Sequence, residues 1–118
     1  MRAGSMQPDV QVGEAERERI LALLQENADE LRSTGIRRLR LTGSIARGEA
    51  KRDSDVDLIA EIDRSEGRRF SLLDLAGLEL DLSSRLGRDV QITALHEGLN
   101  PTVRAAMEAH AIDVLDDA

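Results

Sequence analysis

Cysteine, tryptophan and tyrosine are missing from this 118-residue chain, and phenylalanine occurs once, at Phe70. Without cysteine there is neither a disulfide framework nor a thiolate metal site. A single aromatic ring offers no platform on which bases could stack. A net charge of −7 leaves no general basic face to neutralise a polymer of phosphates. Direct nucleic-acid binding is therefore not expected. No apolar run approaches the ~20 residues of a membrane span, and no apolar leader core is visible. Membrane association is not expected either, and the cytoplasm is the expected location. The length suits one domain that buries roughly two thirds of its unfolded surface.

What the chain does have is gathered between Leu41 and Leu58, in the run LTGSIARGEAKRDSDVDL. Gly43-Ser44 is a small-residue turn directly after Ile36–Leu41, which reads as a short strand. Such a turn offers backbone N–H groups and a hydroxyl to phosphate oxygens, the more so where a helix opens on it. About a dozen residues later come Asp55 and Asp57, spaced i, i+2 at the head of a second apolar run. On a strand they project together while Val56 and Leu58 turn into the core. Neighbouring carboxylates repel unless a cation lies between them, and hard oxygen ligands suit Mg2+ bridged to a substrate phosphate. Between Ile36 and Arg52, Arg37, Arg38, Arg40, Arg47, Lys51 and Arg52 face one acid, Glu49. This local basic excess inside an acidic protein fits a polyphosphate better than a polymer.

Residues 1–13 lack periodicity and are expected to form a flexible N-terminal arm, followed by a single domain over 14–118. Helical spacing of Ile20, Leu21, Leu24, Ala28 and Leu31 predicts a helix over Glu14–Ser33, with Gly35 as its cap. Val56–Ile62 reads as a strand, and Asp63–Arg68 as a polar turn. Phe70–Leu86 reads as a helix with a wide leucine stripe: Leu72, Leu75, Leu82 and Leu86, with Phe70, Leu73 and Leu80 beside them. Gly87 caps it. Arg88–Thr93 alternates as a third strand, with Val90 and Ile92 inward and Asp89, Gln91 and Thr93 on the opposite face. Asn100-Pro101 starts a helix that buries Val103, Ala106 and Met107, and Ile112–Leu115 adds an edge strand. His96 and His110 stand apart from each other and read as surface or capping residues.

Asp53–Asp57 opens like a calcium loop, but the glycine and glutamate such a loop requires are replaced by Leu58 and Arg64. No Gly-Lys-Ser/Thr follows Gly43, which removes a nucleotide P-loop. The pattern Gly43-Ser44-x-x-Arg47-Gly48, followed by Ser54-Asp55-x-Asp57-Leu58, resembles the signature of the polymerase beta-like nucleotidyltransferase superfamily. The short chain and its Asn-Pro helix resemble the minimal nucleotidyltransferase (MNT) branch, over about Glu14 to Leu115. The resemblance implies an α/β (α+β) core, a small mixed sheet flanked by helices. It further implies that Asp55 and Asp57 are catalytic and hold Mg2+ or Mn2+, that Gly43, Ser44 and Arg47 bind a nucleoside triphosphate, and that ATP is the substrate.

The family's third carboxylate aligns with Gln91, which brings no charge and accepts no proton. Loss of a positioned base costs about 10²–10⁴ in rate. Asp89 on the same face is ~6.7 Å further along a regular strand, too far to replace it. Chains of this kind resemble the MntA-like antitoxins of HEPN/MNT toxin–antitoxin pairs, whose partner is a helical HEPN ribonuclease. Three functions follow: AMP transfer from Mg-ATP to the HEPN toxin; a catalytically impaired antitoxin that binds nucleotide and toxin; or a small-molecule nucleotidyltransferase completed by a partner subunit.

Overall fold

Apolar residues at alternate positions, which face one side of a pleated strand, build a sheet here with one apolar face and a second, mixed face that carries polar side chains and the buried Ile59. In the computed structural model, which describes residues 8–62, 71–95, 100–109 and 111–115, the elements follow in the order α1 (Pro8–Glu26), α2 (Ala28–Thr34), β1 (Ile36–Thr42), α3 (Gly43–Ala46), β2 (Val56–Ile62), α4 (Leu72–Leu86), β3 (Val90–Ala94), α5 (Pro101–Glu108) and β4 (Ile112–Leu115). The strands lie in the order β3-β2-β1-β4. β1 runs antiparallel to β2 and β4, and β2 runs parallel to β3, with α4 as the crossover that parallel neighbours need. The expected small mixed sheet with flanking helices is what forms. None of the described helices is long and apolar enough to cross a membrane.

The apolar face carries Leu39, Leu41, Val56, Leu58, Ala60, Val90 and Ile92, packed against Ile20, Leu24 and Leu31 of α1 and α2, Ile45 of α3, and Leu82 and Leu86 of α4. The opposite face places Thr42, Asp57 and Gln91 in one row across three strands. On the sheet, Arg40 donates to Asp113 at 3.0 Å, and Arg38 and Arg37 both donate to Glu61, at 3.2 and 3.4 Å. These three arginines meet acids of neighbouring strands, so the basic excess read between Ile36 and Arg52 is not one phosphate-facing patch. β3 is an edge strand, and edge amides invite foreign strands. Here α4 covers them: Val90 N–H donates to Ser83 Oγ at 2.9 Å and Ile92 N–H to Glu79 Oε2 at 2.7 Å.

Several expectations need correction. Residues 1–7 of the expected arm lie outside the described residues, but residues 8–13 are helical: Pro8 sits in a first turn, where its missing N–H costs nothing. The single helix over Glu14–Ser33 is two helices. At Asn27 the backbone turns to φ −100, ψ 12, and its side-chain amide donates to Leu23 O at 2.7 Å, a local bond that competes with the helix. The apolar rhythm continues because Leu31 N–H still bonds Asn27 O, at 2.9 Å. The leucine stripe of α4 is narrower than expected, since Leu73 and Leu80 are 81% and 74% exposed. At about 100° per residue they lie on the far side of the helix from Leu82. A capping box between Ser71 and Asp74 starts this helix, two residues later than expected. Ala106 of α5 is exposed, and a methyl left in water forfeits little. Phe70, the Asp63–Arg68 turn, His96, His110 and the side chains of Leu72, Val103 and Met107 lie outside what is described.

The seat of α1 depends on a residue without a side chain. A Cβ added at Gly13 would lie 2.1 Å from the carbonyl oxygen of Gly48, so helix and loop meet backbone to backbone. Gly77, on the exposed side of α4, has nothing within 4 Å of such a Cβ. Glycine inside a helix normally costs about 0.5–1 kcal/mol relative to alanine. Gly77→Ala is expected to stabilise the domain by that amount. Gly13→Ala is expected to destabilise it by roughly 1–3 kcal/mol, the cost of overpacking a tight contact. Urea midpoints moving in opposite directions would establish the difference.

Candidate active site

β1 ends at Thr42, and Gly43 opens the one-turn helix α3 at φ +80. That left-handed φ favours glycine, and a second constraint acts at the same residue. A Cβ here would lie 2.4 Å from Asp57 Oδ2, so the carboxylate rests against the backbone of Gly43. Thr42 pairs with Asp57 in the antiparallel register, which brings β1's end and the second half of the motif together. Ile45 and Ala46 anchor α3 in the core while Ser44 stays half-buried. Glu49 N–H donates to Ser44 O at 2.8 Å and Gly48 N–H to Ile45 O at 3.1 Å, which folds the chain back beneath α1.

The loop then climbs to the carboxylates. Ser54 Oγ accepts from Lys51 N–H at 2.8 Å, a local turn of the kind serine favours. Asp55 is exposed and precedes β2, whereas Asp57 is half-buried inside it. Asp57's acid is pushed up from its ordinary value, first by burial and then by the charge of Asp55, with Arg47 acting in the opposite sense. Asp55 and Arg47 are thus the charges that bear on Asp57, but Asp55 stands ahead of β2 and not on the strand where the sequence put it. Arg47 itself is exposed and donates to Glu49 at 2.9 Å.

Gln91 is the parallel partner of Asp57 and is exposed. The position aligned with the family's third carboxylate is thus beside Asp57 in space, and an amide occupies it. Among the described residues no three histidine or acidic side chains converge. The residues that could hold a cation are Asp55 and Asp57, two carboxylates with hard anionic oxygens. That suits Mg2+, which commonly takes one or two carboxylates and completes its shell from substrate. Beside Asp55 opens a cavity of about 370 Å³, with Asp89, Arg52, Ser83 and Arg88 in its wall.

One set of contacts beside Asp55 was not visible in the sequence. Arg88, read only as part of a strand, donates to Ser54 O at 2.6 Å and Lys51 O at 3.0 Å and forms an ion pair with Glu16 of α1. Glu16 is held down to about 2 by Arg19 and Arg88 against the opposing effect of burial. No local pattern marks a contact between residues this far apart in sequence.

An acid raised by burial and a like charge is a carboxylate the fold tolerates at a cost. That penalty is present above the raised pKa and disappears as pH falls through it and the group becomes neutral. Asp57→Asn is therefore expected to stabilise the protein at pH 7 by roughly 1 kcal/mol, the scale of single-site effects, or about 4 °C in Tm. The gain should shrink on acidification, as thermal melts of both proteins across pH 3–8 would show.

Comparison with known proteins places this geometry. Residues 21–115 match the nucleotidyltransferase domain family. The protein adenylyltransferase MntA of Thermococcus cleftensis is 37% identical over 90 residues, which cover 73% of this chain and 87% of that protein. A solved structure assigned to the minimal nucleotidyltransferases is 38% identical, covers 93% of this chain and 98% of its own, and superposes with a TM-score of 0.57. A complex of tri-AMPylated Shewanella oneidensis HEPN toxin with an MNT antitoxin shares the fold at 17% identity, with 81% of this chain and 72% of that one covered and a TM-score of 0.55. A Gly-Ser turn resting on the second aspartate of an Asp-x-Asp strand, within that match, shows that the chain belongs to the nucleotidyltransferase domain family, in its minimal branch.

Proposed function

We propose that this protein is an antitoxin-type adenylyltransferase, which transfers AMP from Mg2+-bound ATP to a HEPN ribonuclease toxin and silences it. The observation that carries the reading is the contact of Gly43 with Asp57 beside Asp55, in a chain 37% identical to a named protein adenylyltransferase. The HEPN toxin bound to an MNT antitoxin in the structurally similar complex, itself AMPylated, supports the choice of acceptor.

In this reading Asp55 and Asp57 hold Mg2+. A bound ion would supply positive charge against the phosphates. Gly43 and Ser44 present backbone N–H groups and a hydroxyl to the outgoing phosphates, and Arg47 adds a positive charge nearby. The acceptor oxygen attacks the α-phosphorus in line. A new O–P bond forms as the bond from the α-phosphorus to the oxygen bridging to the β-phosphate breaks, and pyrophosphate leaves. The acceptor's proton passes to solvent, since the amide of Gln91 cannot take it. Transfer is therefore slow, lower by about 10²–10⁴ than with a base in place.

The position of Gln91 also favours a second reading, an antitoxin that binds nucleotide and toxin without transfer. ATP labelled in its α-phosphate separates the two when incubated with Mg2+ or Mn2+, this protein and a HEPN toxin. Slow labelling of the toxin is expected, abolished in Asp55→Asn/Asp57→Asn and accelerated at least tenfold in Gln91→Asp. A complex that co-elutes without label, even with Gln91→Asp, would establish the binding antitoxin instead.

A further inference from the structure

Asp55 stands outside the sheet. It precedes β2, is exposed, and its side chain has no hydrogen-bond partner among the described residues. Its place is set through its backbone, and both flanking peptide groups are held by one dipeptide. Ser54 C=O, on one side, accepts from Arg88 Nη1 at 2.6 Å. Val56 N–H, on the other, donates to Asp89 C=O at 2.8 Å. Arg88 Nη1 also reaches Lys51 O at 3.0 Å and Arg52 O at 3.4 Å, so a single guanidinium nitrogen gathers the carbonyls of the loop that leads to Asp55.

The guanidinium is in turn held from behind. Arg88 Nε pairs with Glu16, and the two side chains are only 12% and 14% exposed. Arg19 binds both oxygens of Glu16 at 2.7 Å and donates to Leu86 O at 2.9 Å, tying α1 to the end of α4. A planar fork with donors on separate nitrogens can face a carboxylate on one edge and carbonyls on another; an ammonium is a point donor on a flexible stem.

We infer that Arg88 is a positioning residue for metal binding: braced by Glu16, it fixes the loop through Ser54 so that the carboxylate of Asp55 meets the cation carried by the nucleotide. This rests on the metal–nucleotide reading of the site. It extends that reading to a residue that contributes no ligand and touches no substrate. It also accounts for the buried ion pair, which by itself is weak evidence of stabilisation.

Arg88→Lys tests it, because lysine keeps a positive charge beside Glu16 and loses the fork; Glu16→Gln removes the brace and serves as the second variant. With a fluorescent ATP analogue and Mn2+, Arg88→Lys is expected to weaken binding about tenfold, the scale on which groups supporting a metal ligand act. Binding of the same analogue in EDTA should change less than twofold. In an Asp55→Asn background, Arg88→Lys should add less than twofold, because the ligand it positions is gone. Backbone ¹⁵N order parameters should fall at Asp55 and stay unchanged at Gly43. Equal weakening with and without metal, a full tenfold effect on top of Asp55→Asn, or an unchanged order parameter at Asp55 would each overturn the inference. Should the wild-type protein bind no Mn2+–nucleotide at all, the site reading fails, and the order parameters still decide whether Arg88 holds Asp55.

Discussion

The carboxylate of Asp57 rests against Gly43 closer than a methyl group would permit, and the arrangement of the site follows from that contact. It requires β1 to end one residue earlier, a left-handed turn at Gly43, and an antiparallel register that sets Thr42 opposite Asp57. It also requires α3 to be held down, which Ile45 achieves from the core. The half-burial that raises Asp57's acid arises in the same place. The domain thus accepts a poorly solvated carboxylate within reach of a second negative charge, at a cost to its stability. Sites of this kind are often where stability is given up for function.

Around this contact the protein is built in two shells of different character. The inner one is apolar and conventional, with helices over one sheet face and leucines and isoleucines at the expected periods. The outer one is ionic and long-range. Glu16, Arg19 and Arg88 join α1, the end of α4 and the loop before β2. Arg85 joins α4 to Glu30 of α2, and Arg40 joins β1 to β4. Salt bridges at a surface contribute little stability each. For Arg88 the effect is on placement, because the loop before β2 has no ladder of its own to hold it.

Legibility in the sequence followed the range of the interactions. β2 and β4 form where alternation and run length put them, the inward and outward residues of β3 are as read, and the two halves of the motif meet. Those features depend on period and on turn chemistry within a few residues. Gly13 gave no signal, because its meaning lies in the carbonyl of Gly48, on a different element. Arg88 looked like a strand flank, because its partners Glu16 and Ser54 are far away in the chain. Asn27 was hidden by apolar spacing that continues across the helix break. Leu73 and Leu80, read as flanking a wide leucine stripe, face solvent because their angular position on α4 is opposite Leu82. Gln91 is the reverse case: its identity was visible at once, and the parallel register supplied only its neighbour, Asp57.

The hydroxyl of Ser83 and the carboxylate of Glu79 occupy the outward amides of Val90 and Ile92 on β3. A strand arriving from another chain finds those donors already engaged, so this side of the sheet is a poor template for growth. Association through that edge would first have to displace α4, and with it Leu82 and Leu86 from the core. Copies of the domain are thereby kept from zipping together along β3, and any recognition there is left to side chains.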